Sequence, residues 1–172
     1  LEGVKAQEIK VFDTAHLSPL FERVIIASGT SNRQTKALSS SVIDAVREAV
    51  HGRCAVALRL SMQELRARPS EVAPSEAHEV ITLLKDAPDL FDVKMDYSAH
   101  DCAPSRFSDE ASHEPVIDFI KTLTDKPVVG VGRFTSPDTM VSQIRRGVLD
   151  FIGGARPSIA DPFLPAKINQ GR

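Results

Sequence analysis

Residues 127–156 read PVVGVGRFTSPDTMVSQIRRGVLDFIGGAR, and this stretch decides the fold. Pro127–Gly132 is a short Val- and Gly-rich run that suits a strand. Ser136 and Pro137 follow as the N-cap and first residue of a helix. A serine hydroxyl there can accept a hydrogen bond from a first-turn amide, and the proline ring presets the helical φ. Met140, Val141 and Ile144 recur at helical spacing and predict the inner face. Val148–Gly153 (VLDFIG) returns to strand character. Strand, helix, strand in this order makes a βαβ unit, whose two strands run parallel.

Working outward, the same rhythm fills the chain from residue 53. Arg53–Leu60 (RCAVALRL) predicts a buried strand and Leu90–Met95 (LFDVKM) another. Between them, Glu76–Ala87 carries Ala77, Val80, Ile81 and Leu84 on one helical face. Val116, Phe119, Ile120 and Leu123 repeat that stripe on the next helix. Ala155–Asp161 and a short helix near Pro165–Asn169 close the sequence. Residues 1–52 read differently. Glu8–Asp13 (EIKVFD) and Arg23–Ser28 (RVIIAS) predict strands, broken by the proline of His16–Leu20. Ser31 predicts the cap of a helix with Leu38, Val42, Ala45, Val46, Ala49 and Val50 inside, ending at His51-Gly52.

The chain has 172 residues, enough for one domain or two small ones with a buried core. Its 42% apolar and 26% charged content excludes disorder and collagen-like repeats. A net charge of −2 supplies no excess of cations to neutralise a phosphate backbone, which argues against general nucleic-acid binding. No apolar run reaches the ~20 residues needed to span a bilayer. Leu1 opens the chain without an initiator methionine or a signal-like segment, so a fragment or processed chain in a reducing cytoplasm is expected. Cys54 and Cys102 make neither a disulfide framework nor a metal cluster. Cys54, in an apolar run, is expected to be buried. No GxGxxG, Walker A, HExxH or nucleophile-elbow motif occurs.

Chemistry concentrates where the last two strands end. Gly130-Val131-Gly132-Arg133 and Gly153-Gly154-Ala155-Arg156 each pair glycine, which lets backbone approach a ligand, with an arginine. Two adjacent parallel strands ending this way would aim amides and two guanidinium groups at one anion, such as a phosphate. The plainer alternative is tight turns with solvated arginines. Arg59 lies inside an apolar strand, where a charge is costly to bury. It is expected to reach a polar site from the strand end or to snorkel to water. Asp96, His100, Asp101, Ser105 and Arg106 fall after Met95. His100 beside Asp101 suits acid–base work, and a solvated loop is the alternative. His113 and Glu114 precede a helix, where the carboxylate meets the helix dipole, and are assigned structural roles. Asn32, Arg33 and Gln34 read as capping and solvation, and His16, His51 and His78 as structural.

From about residue 44, DAVREAVHGRCAVALRLS, DCAPSRF, KPVVGVGRFTSPDTM and DFIGGARPSIADPFLPAKINQGR resemble the second half of the FMN-binding barrel of the old yellow enzyme family. The trimethylamine dehydrogenase-like branch is the nearest in look. The resemblance implies FMN-dependent oxidoreduction, with Gly132, Arg133, Gly154, Ala155 and Arg156 around the FMN phosphate. It places Arg59 against the pyrimidine edge of the flavin and gives Asp101 an acidic active-site position. It implies no metal site within this chain, because the branch's cluster-binding cysteines are not in it, and the small-molecule substrate is left open.

KAQEIKVFDTAHLS and FERVIIASGTSNRQTKAL, within residues 1–42, resemble the opening of the ribosomal silencing factor family, which docks on the large ribosomal subunit. That family's later half, with its Trp, is absent, which argues against ribosome docking. The expectation is therefore a chimeric or recombined chain, 1–43 and 44–172, with its seam near Ser41–Ala45. Its fold class is α/β: a parallel (βα)4 half of a TIM-type barrel with an N-terminal ββα segment packed on it. Either that segment covers the open barrel edge or the chain forms a homodimer. A ribosome-binding factor and a folded chain without activity are the alternatives to the oxidoreductase.

Overall fold

The structure, a computed structural model, describes residues 1–17, 23–65, 74–97 and 109–171. Two compact units divide it, Leu1–Val56 and Ala57–Arg172.

In the first unit, β1 (Gln7–Asp13) and β2 (Arg23–Ser28) pair antiparallel, with Phe12 opposite Val24 and Val11 opposite Ile25. Helix α1 (Asn32–Val50) starts as the sequence predicts. Ser31 Oγ accepts from Gln34 N at 3.3 Å, and Gln34 Oε1 accepts from Thr30 N at 2.7 Å. This Ser-x-x-Gln pairing satisfies amides that a helix start leaves open. His51 ends the helix in a left-handed conformation, φ 49°. The predicted apolar stripe shifts. Leu38 and Ile43 are buried, whereas Val42 and Val46 are exposed. Among the described residues of this unit, its two strands and α1 provide no second layer to cover that side.

The second unit holds a four-stranded parallel sheet in the order β3 (Ala57–Leu65), β4 (Leu90–Tyr97), β5 (Val128–Gly130) and β6 (Phe151–Ile152). The connections contain α2 (Pro74–Leu84), the single-turn helices α3 (Glu114–Ile117) and α4 (Ile120–Leu123), and α5 (Pro137–Arg145). After β6 come α6 (Ala155–Ala160) and α7 (Leu164–Asn169). This is the expected α/β half-barrel. Ile81, Phe91, Val93, Ile120, Val128 and Leu149 form the centre of its core. Burying such side chains stabilises by roughly 1.5–3 kcal/mol each, before the entropy of ordering them.

Strand register sorts the side chains into two faces. Leu60, Val93, Gly130 and Ile152 lie in one lateral row, packed in or against the core. A Cβ on Gly130 would stand 2.6 Å from Leu149 Cδ2, so only glycine fits that row. The next row, on the opposite face, is Arg59, Asp92, Val129 and Phe151.

Four local expectations need correction. β3 begins at Ala57 rather than Arg53, which leaves Cys54 in the exposed connection after α1. The helix predicted through Val116 and Leu123 divides at Asp118-Phe119, and the fully buried residues are Ile117 and Ile120. Only Phe151-Ile152 of Val148–Gly153 pair as strand, while Val148 and Leu149 enter the core before it. Helix α5 buries Gln143 (2% exposed) where Val141 and Ile144 were expected. The reason is a polar anchor: Gln143 Nε2 donates to Glu114 Oε2 at 2.6 Å, which turns that side of the helix inward. Among the described residues no helix is long and apolar enough to cross a membrane.

Candidate functional site

The two glycine–arginine segments extend from neighbouring strands. Val129 and Gly130 stand in register with Phe151 and Ile152, and Gly153 N donates to Gly130 O at 2.8 Å. The backbones thus leave the sheet side by side at its carboxyl edge. Here a ligand gathers most readily in parallel α/β folds.

Contact between the segments is close. A Cβ on Gly153 would lie 2.7 Å from Val131 Cγ1 and 3.2 Å from Gly130 O. Gly132 faces the connection before α3, where a Cβ would lie 3.3 Å from Ala111 Cα. Gly154 differs from both. An added Cβ would meet Ser158 Oγ at 3.9 Å and Pro157 Cγ at 4.0 Å, ordinary contact without crowding. Ala155 and Arg156 form the first turn of α6, and both are exposed.

Arg133 is held unusually. Its φ is 56°, in the left-handed region that disfavours side chains. The residue is half-buried, and its Nε is buried without a hydrogen-bond partner among the described residues. Such a donor is costly to leave unmet and fits an anionic oxygen brought by a ligand.

A residue that the sequence reading missed fixes the chain just behind Arg133. Glu110 accepts hydrogen bonds from the backbone and side chain of Thr135, and from Ser136 N at 2.6 Å. It also accepts from Ser136 Oγ at 2.9 Å and Thr139 Oγ1 at 2.7 Å. Burial would raise its pKa, but these donors, led by the Thr135 and Thr139 hydroxyls, outweigh it and hold the value at about 2. The carboxylate closes the start of α5, whose N-cap is Ser136 as predicted. The Thr-Ser-Pro-Asp-Thr run signals a helix start that wants an acceptor, but no local spacing points to a glutamate 25 residues earlier.

His113, buried below the same loop, has its pKa pushed down by burial, which its hydrogen bond to the Val131 backbone only partly opposes. Burial there thus favours the neutral imidazole. Glu114 receives Arg146 Nη1 at 2.6 Å and Nη2 at 2.5 Å, a two-pronged ion pair that keeps its pKa low.

Arg59 stands apart from the strand ends. It is the third residue of β3, on the uncovered face, 64% exposed and 3.4 Å from Asp92 Oδ2. It therefore lies within the strand rather than at its end. Asp101, with His100, Ser105 and Arg106, lies outside the described residues. The structure thus brings Gly132–Arg133 and Gly154–Arg156 to one edge, and sets Arg59 within the sheet.

Comparisons with known proteins find relatives for most of the chain. A profile described as the NADH:flavin oxidoreductase / NADH oxidase family matches residues 28–172. Dimethylamine dehydrogenase of Hyphomicrobium sp. (strain x) is 36% identical over 159 residues, covering 91% of this chain but 22% of that protein. The solved structure of 6-hydroxypseudooxynicotine amine oxidase from Pseudomonas geniculata N1 superposes with a TM-score of 0.74 at 50% identity. It covers 84% of this chain and 21% of that one. The chain therefore spans about a fifth of the length of these flavin-family relatives. A third similarity is separate: ribosomal silencing factor RsfS of Chromobacterium violaceum is 49% identical over 49 residues, 28% of this chain and 40% of that protein.

Proposed function

The chain belongs to the NADH:flavin oxidoreductase / NADH oxidase family, and on that premise we propose that residues 44–172 grip the phosphate of FMN in an oxidoreductase acting on small amines. The observation that carries this reading is the side-by-side exit of two glycine–arginine segments from paired strands β5 and β6. The residues suit the group. The unmet Nε of Arg133 is a donor for a phosphate oxygen, and Gly154, without a side chain, lets the backbone come close to one. Arg156, exposed in the adjacent turn, supplies a second positive charge.

Bound FMN supplies the hydride acceptor. The chain's own residues bind and orient it. Gly132, Arg133, Gly154, Ala155 and Arg156 hold the phosphate, and Glu110 positions the Arg133 loop through Thr135 and Ser136. Arg59, exposed on the sheet face opposite the core, would supply positive charge at the pyrimidine edge of the flavin. Asp101 is the acidic group of the active site. Amine as the substrate class follows the names of the two flavin-family relatives, and a chain with two cysteines and no disulfide framework suits a reducing cytoplasm.

Titrating FMN into the protein while following flavin fluorescence tests this. A saturable change that inorganic phosphate displaces is expected. Arg156→Ala should weaken it about tenfold, the scale of one charge-assisted contact. Lys167→Ala, on α7, should leave it unchanged. No response up to about 1 mM FMN overturns the proposal.

A second reading concerns residues 1–43, where the silencing-factor likeness meets a hairpin with Val11, Ile25 and Ile26 exposed. Co-sedimentation with large ribosomal subunits tests it. If flavin and ribosome assays are both silent, the chain is a folded chimera without either activity.

A further inference from the structure

The parallel sheet is unfinished in two directions. Among the described residues β3 and β6 are its edges, each paired on one side only, and the hairpin β1–β2 forms a separate sheet. Parallel sheets are almost always covered on both faces. Here the row Arg59, Asp92, Val129 and Phe151 lies opposite the core-facing row, with Phe151 53% exposed at the very edge. Outside that edge, Met140, Val141, Ile144 and Ile152 line an apolar groove.

We propose that two copies of this chain close one eight-stranded parallel barrel, β6 of each pairing with β3 of the other. A two-fold axis along the strands preserves their direction, so both new pairings are parallel. The two interfaces are identical, as closed symmetric assembly requires. Four strands from each copy give eight, the number at which a parallel barrel closes around its own side chains. A partner offering a single strand edge would leave the other edge of the sheet open, whereas a second copy offers both. Phe151 and Arg59 then face the interior, and the groove beside α5 lies under the partner's outer layer.

The inference rests on the sheet and not on the flavin reading. It does give the candidate site a consequence: each glycine–arginine rim then also contains strand ends from the partner.

Sedimentation equilibrium of the full chain tests it without flavin. The expected result is a closed dimer of about 37 kDa, twice the chain mass, with no larger species as concentration rises. Phe151→Lys, at the edge, and Ile144→Glu, in the groove, should each weaken association about a hundredfold. Thermal melts show whether each variant still folds, and two sites guard against failure of one. Ile26→Lys, on the hairpin, should leave the dimer intact. A monomer at 100-micromolar concentration overturns the proposal. So does an open series of oligomers, or a dimer broken by Ile26→Lys and untouched by the folded edge variants.

Discussion

In the hairpin β1–β2, Val11, Phe12, Ile25 and Ile26 are exposed, whereas in the parallel sheet Phe91, Val93 and Val128 are wholly buried. The two regions use the same Val-, Ile- and Phe-rich strands. What separates them is layering. Helices α2 to α5 connect the parallel strands and bury one of their faces, as right-handed βαβ connections dictate. The hairpin strands are antiparallel, a pairing that needs no crossover helix. Strand propensity selects backbone shape, and topology decides whether the side chains leave water.

The sharpest way to break that comparison is to remove equivalent apolar mass from both regions. Phe91→Ala should cost about 3–5 kcal/mol in urea unfolding, because it empties packed space. Ile26→Ala should change stability by no more than about 0.5 kcal/mol. Similar losses from both would mean the hairpin is covered in solution.

Electrostatics gives the second contrast. Glu110→Gln should destabilise by about 2 kcal/mol at pH 7, since a charged acceptor of several donors is replaced by a neutral one. In the hairpin, the Asp13–Arg23 pair at 2.8 Å is exposed on both sides, and Asp13→Asn should change stability by about 0.5 kcal/mol or less. The pH dependence has a definite sign. Glu110 binds its proton less readily when folded, with a pKa of about 2, than when unfolded. Its contribution is therefore complete above the unfolded value near 4.5 and fades as pH falls toward 2. Melting curves of the native chain and Glu110→Gln should converge across that window, and a constant gap would refute the assignment.

The smallest effect sharpens the comparison within the site. Gly153→Ala meets Val131 and the Gly130 carbonyl and should cost about 1–2 kcal/mol, whereas Gly154→Ala makes only ordinary contact with Ser158 and Pro157 and should be near neutral. Equal destabilisation of the two in thermal melts would contradict the geometry of the strand ends.

Much of this was legible from local sequence. Ser31 and Gln34 announce the start of α1, and Ser136-Pro137 that of α5, because capping works over three or four residues. The βαβ rhythm and the two glycine–arginine ends are similarly short-range. What escaped depends on partners distant along the chain. Gln143 is drawn inward by Glu114, 29 residues away, against the apolar pattern of its own helix. Glu110 reaches Thr135 across a comparable separation. Cys54 looked buried because a run of apolar neighbours says nothing about where pairing begins, and β3 starts three residues later. The placement of Arg59 turned on the same difference: its strand continues six residues beyond it.

The backbone twist at Arg133 carries a final consequence. Glycine would hold φ 56° freely, while an arginine there bears a steric penalty of about 1 kcal/mol. The position is thus a point of opposition between chain comfort and chemistry. A search for more heat-resistant variants would be drawn to glycine at this residue, and would strip away the guanidinium in doing so.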